Sequence, residues 1–213
     1  MKSLFRKTSA AKIFCIGQNK TGTTTVESVF KSFGYTLGNQ IKGELLFKAW
    51  QEGNFKEIIE FCKTAEAFQD VPFSLPNTYQ HLDEAYPDAK FILTERDSAE
   101  QWYQSLTRFH SKKWSDGKRI PTVEDLTNAT YRYKGYAYQF MKNIYHTQDS
   151  DLYNKTALIS HYNNYNEQVK TYFKEQPEKL LIINVSNSSD YGNLCSFLKQ
   201  TPQGDNFPWK NKT

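Results

Sequence analysis

Apolar positions along this chain fall into two rhythms. Short, nearly unbroken runs occur at Lys12-Ile-Phe-Cys-Ile-Gly17, Lys90-Phe-Ile-Leu-Thr-Glu95 and Leu180-Leu-Ile-Ile-Asn-Val185, with a shorter one at Ala67-Phe-Gln-Asp70. Runs of that length bounded by polar residues predict buried strands. The intervening segments carry helical spacing. Val26, Val29, Phe30 and Phe33 share one face of a helix that Gly34 should close as its C-cap. Helices are predicted for Glu44 to Gln51, Phe55 to Thr64 and Asn77 to Tyr86, where Pro87 is the stop. Another follows Arg96-Asp97-Ser98 and carries Trp102, Leu106 and Phe109 on one face. Polar residues with Gly117 and Pro121 make His110 to Pro121 a predicted mobile loop. Tyr-rich helices are predicted over Glu124 to His146 and Tyr153 to Gln176, and a last one over Tyr191 to Lys199.

Strands alternating with helices imply an α/β fold, a parallel β-sheet flanked by helices on both faces. No repeat or low-complexity linker divides the chain, so a single domain is expected over residues 1–213, with a helical insert at about 110–176 on the acceptor or lid side. Ligands of such sheets bind beyond the carboxyl ends of the strands. The three long runs all hand over to polar residues at that end.

Composition narrows the classes. Hydrophobic residues make up 38% and charged residues 23%, values of an ordinary globular protein. A formal charge of +4 is too mild to imply a nucleic-acid partner or a membrane surface, and no run approaches a membrane span. Cys15, Cys62 and Cys195 lack disulfide or metal spacing and read as buried apolar residues in a reducing compartment. The basic start, Met1 to Lys12, has no apolar signal core, so a cytoplasmic location is expected. His81, His110, His146 and His161 show no ligand spacing, so no metal is expected.

The segment after the first strand, Gln18-Asn-Lys-Thr-Gly-Thr-Thr-Thr25, suits an oxyanion. Gly17 and Gly22 allow close backbone approach, and the amides of Thr21 to Thr25 would open a helix whose positive end favours phosphate. Lys20 adds a full charge, with Asn19 beside it, and Thr23, Thr24 and Thr25 add hydroxyls. In a Walker A loop the lysine follows the second glycine, whereas Lys20 precedes Gly22.

The order Lys20-Thr-Gly-Thr-Thr24 resembles the 5′-phosphosulfate loop of sulfotransferases that use 3′-phosphoadenosine 5′-phosphosulfate (PAPS) and release PAP. Phe91-Ile-Leu-Thr-Glu-Arg-Asp97 followed by Trp102-Tyr-Gln-Ser105 is similar to the family's strand ending in arginine and helix-borne serine, which together hold the 3′-phosphate. Ser105 lies nine residues after Arg96 where the family usually has eight, and Ser98 is the alternative. Arg96 could instead be a surface residue paired with Asp97 or Glu100. Gln69-Asp-Val-Pro-Phe73 resembles a stretch in which the family places a base, usually histidine; Asp70 stands there, either as that base or as a cap of the turn before Pro72. Phe207-Pro-Trp-Lys-Asn211 is similar to the family's closing segment, from which Lys210 and Lys212 could approach phosphates, although such lysines are more often solvated charges and neither is taken as a site residue.

The resemblance implies a P-loop-like, three-layer sandwich. It implies in-line sulfuryl transfer from PAPS to a hydroxyl or amine of a small-molecule or saccharide acceptor. In that reading Lys20 and Asp70 are catalytic, and Asn19, Lys20, Thr21, Gly22, Thr23, Thr24, Thr25, Arg96 and Ser105 bind the donor. The alternatives are a P-loop kinase using ATP–magnesium and a non-catalytic nucleotide-binding relative.

Overall fold

The computed structural model describes residues 11–208; Lys210 and Lys212 lie outside the described residues. The elements run β1 (Ile13–Cys15), α1 (Thr23–Ser32), α2 (Gln40–Leu45), α3 (Phe47–Gln51), α4 (Phe55–Phe61), β2 (Ala67–Gln69), α5 (Thr78–Ala85), β3 (Lys90–Thr94), α6 (Ala99–Trp114), α7 (Val123–Asn128), α8 (Tyr136–Tyr145), α9 (Lys155–Tyr172), β4 (Leu180–Ile183) and α10 (Ser189–Phe197). One turn of 3-10 helix, Cys62–Thr64, extends α4.

The four strands form one parallel sheet in the order β2-β1-β3-β4. The α/β expectation holds. Because β1 lies between β2 and β3, the chain leaves it first to one side and then to the other. That reversal opens a crevice at the carboxyl ends of the strands, where ligands of such sheets bind.

The β1 and β3 runs are unbroken because both faces of the sheet are covered there; at the β4 edge Ile182 is 43% exposed. Ile13 and Cys15 point into a core with Val26, Phe30, Leu194 and Cys195, between the sheet and helices α1 and α10. Phe14 and Ile16 point the other way, toward Ile58, Tyr79, Tyr165 and Phe173 from α4, α5, α9 and its end. Phe14 lies 5.6 Å from each of Phe68, Phe73 and Phe91. Each such buried side chain stabilises by about 1.5–3 kcal/mol. A third core, with Phe47, Trp102, Leu106, Leu126, Met141 and Leu158, ties α3 and α6 to α7–α9. No helix among the described residues is long and apolar enough to cross a membrane.

Two segments differ from expectation. The predicted loop from His110 is helical as far as Trp114, and His110 and Ser111 are buried. Lys112 and Lys113, read as loop residues, sit in the last turn of α6, where cations oppose the negative helix end. The predicted helix Glu124 to His146 is broken into α7 and α8, because Gly135 takes a left-handed φ of 81° and opens α8 as its N-cap. Gly34 behaves as expected: its φ is +83° and the Tyr35 N–H closes on Phe30 O at 3.1 Å.

Candidate active site

All four strand ends feed one cleft. Its lining includes Asn19, Lys20 and Gly22 to Thr25 after β1, Asp70 and Val71 after β2, Arg96 after β3, and Val185 and Ser186 after β4. Glu44, Phe109, His110, Trp114, Tyr131 and Tyr136 close it from the helical side.

The loop after β1 is set by close contacts. A Cβ on Gly17 would lie 2.7 Å from the Thr94 backbone and overlap its hydroxyl, so only glycine lets β1 leave the sheet against β3. Lys20 and Gly22 adopt left-handed φ of 68° and 104°. Thr21 is fully buried; its hydroxyl donates to Gln18 O and meets Thr94 Oγ1, each at 2.5 Å. Its side chain therefore holds the loop rather than facing the cleft. The Thr21 and Thr25 N–H groups bond to Gln18 O and Gly22 O. Among the described residues, no acceptor is bonded to the N–H groups of Gly22, Thr23 and Thr24. Three of the five amides expected to face an anion are thus available at the α1 N-terminus.

Arg96 completes the cationic end. Its Nε donates to Lys20 O at 2.7 Å and its own N–H donates to Tyr162 Oη at 2.9 Å. It pairs with neither suspected surface partner: Glu100 binds Lys155 at 2.7 Å, and Asp97 accepts from Gln101 and Asn184. Trp102 Nε1 donates to Asn19 O at 3.1 Å, and Lys20 Nζ lies 4.0 Å from the Phe109 ring centre. Burial and the neighbouring Arg96 charge push the Lys20 pKa below the usual lysine range. An anion between these two cations would relieve their repulsion.

Ser105 lies on the same stripe of α6 as Trp102 and Phe109, one turn from each. It is buried and its hydroxyl has no partner among the described residues, but it does not line the cleft. Ser98 caps α6 instead, accepting the Gln101 N–H at 3.1 Å.

Asp70 faces this cationic end across the cleft. Its φ is 62°, and Oδ1 accepts the Val71 N–H at 2.9 Å, so the turn-capping role is real. The other oxygen has no hydrogen-bond partner among the described residues. Burial, with Glu44 adding negative charge, raises its pKa to about 7. That value suits a carboxylate that takes up a proton near neutrality.

Glu44, His110 and Tyr136 escaped the sequence reading. Glu44 is buried, pairs with Arg132, and accepts from Gln40 at 2.8 Å and Tyr131 at 3.2 Å. His110 Nδ1 lies 2.9 Å from Tyr153 Oη; burial lowers its pKa to about 3, which keeps the ring neutral. Glu44 and Arg132 are 88 residues apart, His110 and Tyr153 are 43 apart, and no local pattern links them. For Tyr136, the helical spacing of the tyrosines was the one signal available.

The family model described as Sulfotransferase domain matches residues 12–213. This chain belongs to the sulfotransferase domain family. No curated protein matches it significantly. The match covers nearly the whole chain, so the sulfotransferase domain takes in the helical segments around Glu44, His110 and Tyr136 as well as the glycine loop. Its chemistry is sulfuryl transfer in the general sense, and the cleft of this sulfotransferase has a cationic end and a carboxylate end on which that chemistry can be built.

Proposed function

We propose that this sulfotransferase moves a sulfuryl group from PAPS to an acceptor hydroxyl, in line, with the donor held at the β1 loop and Asp70 as the base. One observation carries the reading: Lys20, the three available amides of Gly22 to Thr24 and Arg96 line the same cleft as Asp70. A lysine, helix-end amides and a guanidinium are the donor set for phosphate oxygens.

When bound, PAPS supplies an activated sulfuryl group whose leaving oxygen belongs to a phosphate. Lys20 and the loop amides concentrate positive charge where negative charge builds during transfer, and such groups typically lower the barrier by several kcal/mol. Arg96 fixes Lys20 through its carbonyl, and its guanidinium would hold the second phosphate. Asp70 accepts the acceptor proton on the oxygen that Val71 leaves free. Phe109, Trp114 and Tyr136 cover the reacting region and limit water.

Thermal stabilisation by PAP, compared with ATP–magnesium, tests this reading in the wild type and in Lys20→Ala. PAP at 100 times its dissociation constant should stabilise by about 2.7 kcal/mol without metal, and Lys20→Ala should lose most of that shift. Stabilisation by ATP–magnesium alone would overturn the reading in favour of a kinase.

A further inference from the structure

Beyond the donor end, the cleft has walls of a different character. Phe109, Trp114, Tyr136 and Phe140 are aromatic, and Val71 and Ala137 are aliphatic. The polar groups there are mostly committed to each other. Glu44 is engaged by Arg132, Gln40 and Tyr131, and His110 by Tyr153. Among the described residues, one Asp70 oxygen and the Tyr136 hydroxyl have no hydrogen-bond partner, and Lys113 sets its ammonium over the Tyr131 ring.

Tyr136 is 4% exposed and its hydroxyl has no hydrogen-bond partner among the described residues. Its ring is held by Phe47 at 5.5 Å, Tyr131 at 5.7 Å and Tyr133 at 5.3 Å, so the hydroxyl is fixed in place. Burial, reinforced by the negative charges of Glu44 and Asp70, raises its pKa, so it stays a protonated donor. A buried donor left without a partner is costly, and Tyr136 lines the cleft, where a ligand oxygen would satisfy it.

We infer that Tyr136 reads the acceptor: it donates a hydrogen bond to a second oxygen on a mainly apolar ring alcohol whose reacting hydroxyl meets Asp70. This rests on the sulfotransferase reading above and names the acceptor class for the same site. A saccharide fits less well, because its several hydroxyls would meet aromatic walls and polar side chains already paired. The specificity is of the kind in which a site built to bond an oxygen rejects the analogue lacking it.

The test uses 3- and 4-hydroxyacetophenone as probes, against 3- and 4-isopropylphenol, which match their shape but lack the carbonyl oxygen. Methyl β-glucoside is the saccharide control. Binding is measured by calorimetry at pH 6.5, where the phenols are un-ionised, with and without PAP, for wild type and Tyr136→Phe. One of the hydroxyacetophenones should bind wild type about tenfold more tightly than its isopropyl counterpart, and Tyr136→Phe should erase that preference. Ligand-free Tyr136→Phe should melt at or above the wild-type temperature, because its hydroxyl has no partner among the described residues; a lower melt would show that the hydroxyl is bonded within the protein and would overturn the inference. Equal binding of each matched pair to wild type, a preference retained in Tyr136→Phe, or tighter binding of the glucoside would each overturn the inference. The PAP melting shift reports the donor site independently, so a failed donor reading shows as no PAP shift, and a failed acceptor assignment as no probe discrimination.

Discussion

Arg96 Nε donates to the main-chain carbonyl of Lys20 at 2.7 Å, joining two cations that are 76 residues apart. The bond makes the end of β3 a brace for the loop after β1. Arg96 therefore has two duties, charge at the anion site and support of the Lys20 backbone in its left-handed conformation.

Replacing Arg96 should separate these duties. Arg96→Ala is expected to weaken PAP binding by about 10- to 100-fold, the size of one charge-assisted bond lost. Arg96→Lys should recover little, because an ammonium cannot contact both the Lys20 carbonyl and a phosphate. Calorimetric titration with PAP measures both. Unchanged affinity in Arg96→Ala would remove Arg96 from the donor site.

Asp70 sets a pH dependence with a defined sign. With its pKa raised to about 7, the base form accumulates above that pH, so turnover should rise through neutrality and level off. Asp70→Asn should lower turnover by about 10²- to 10⁴-fold. The raised pKa also means that ionising Asp70 opposes folding: between its ordinary value of 3.8 and about 7 the folded state binds the extra proton, so stability falls as pH rises across that window. Asp70→Asn should accordingly melt several degrees above wild type at pH 8 and show little gain at pH 4.

Glu44 tunes Asp70 from α2. Glu44→Gln removes a negative charge and leaves Arg132 without its counter-charge, and both changes favour ionised Asp70. The acid limb of the pH–rate profile should move below 7. Stability should fall by about 2–4 kcal/mol in urea unfolding; the Arg132 side chain is 16% exposed, which limits the cost of a broken buried pair. An unshifted limb would show that Glu44 has no hold on the base.

Gly17 tests the close approach of β1 and β3. Gly17→Ala should destabilise by about 3 kcal/mol, the upper end of overpacking costs, since its Cβ would meet the Thr94 backbone at 2.7 Å. Gly192→Ala, in α10 with nothing within 4 Å, should stabilise by roughly 0.5–1 kcal/mol through helix propensity. Thermal melts of the two variants distinguish a steric requirement from a general intolerance of alanine.

What the chain's order determined by itself is local. Residues 13 to 25 form strand, loop and helix N-terminus because the apolar run, the two glycines and the threonines act on neighbours in sequence, and the anion-binding chemistry there is legible without a fold. The apolar runs of β1 and β3 also announced strands covered on both faces, since alternation disappears when neither face meets water, whereas the equally apolar β4 leaves Ile182 exposed.

Tertiary structure alone decided the opposite wall. The Glu44–Arg132 pair, the His110–Tyr153 contact and the Tyr136 hydroxyl, which has no partner among the described residues, come from α2, α6, α8 and the segments beside them, which meet because the β2-β1-β3-β4 order brings their ends to one crevice. The misread segment from His110 shows why: Ser-Lys-Lys looks like solvent-facing loop, yet α6 continues because packing buries His110 and Ser111 while Lys112 and Lys113 stay outside. Burial is set by which distant surface covers a residue, and that information is absent from its neighbours in the chain.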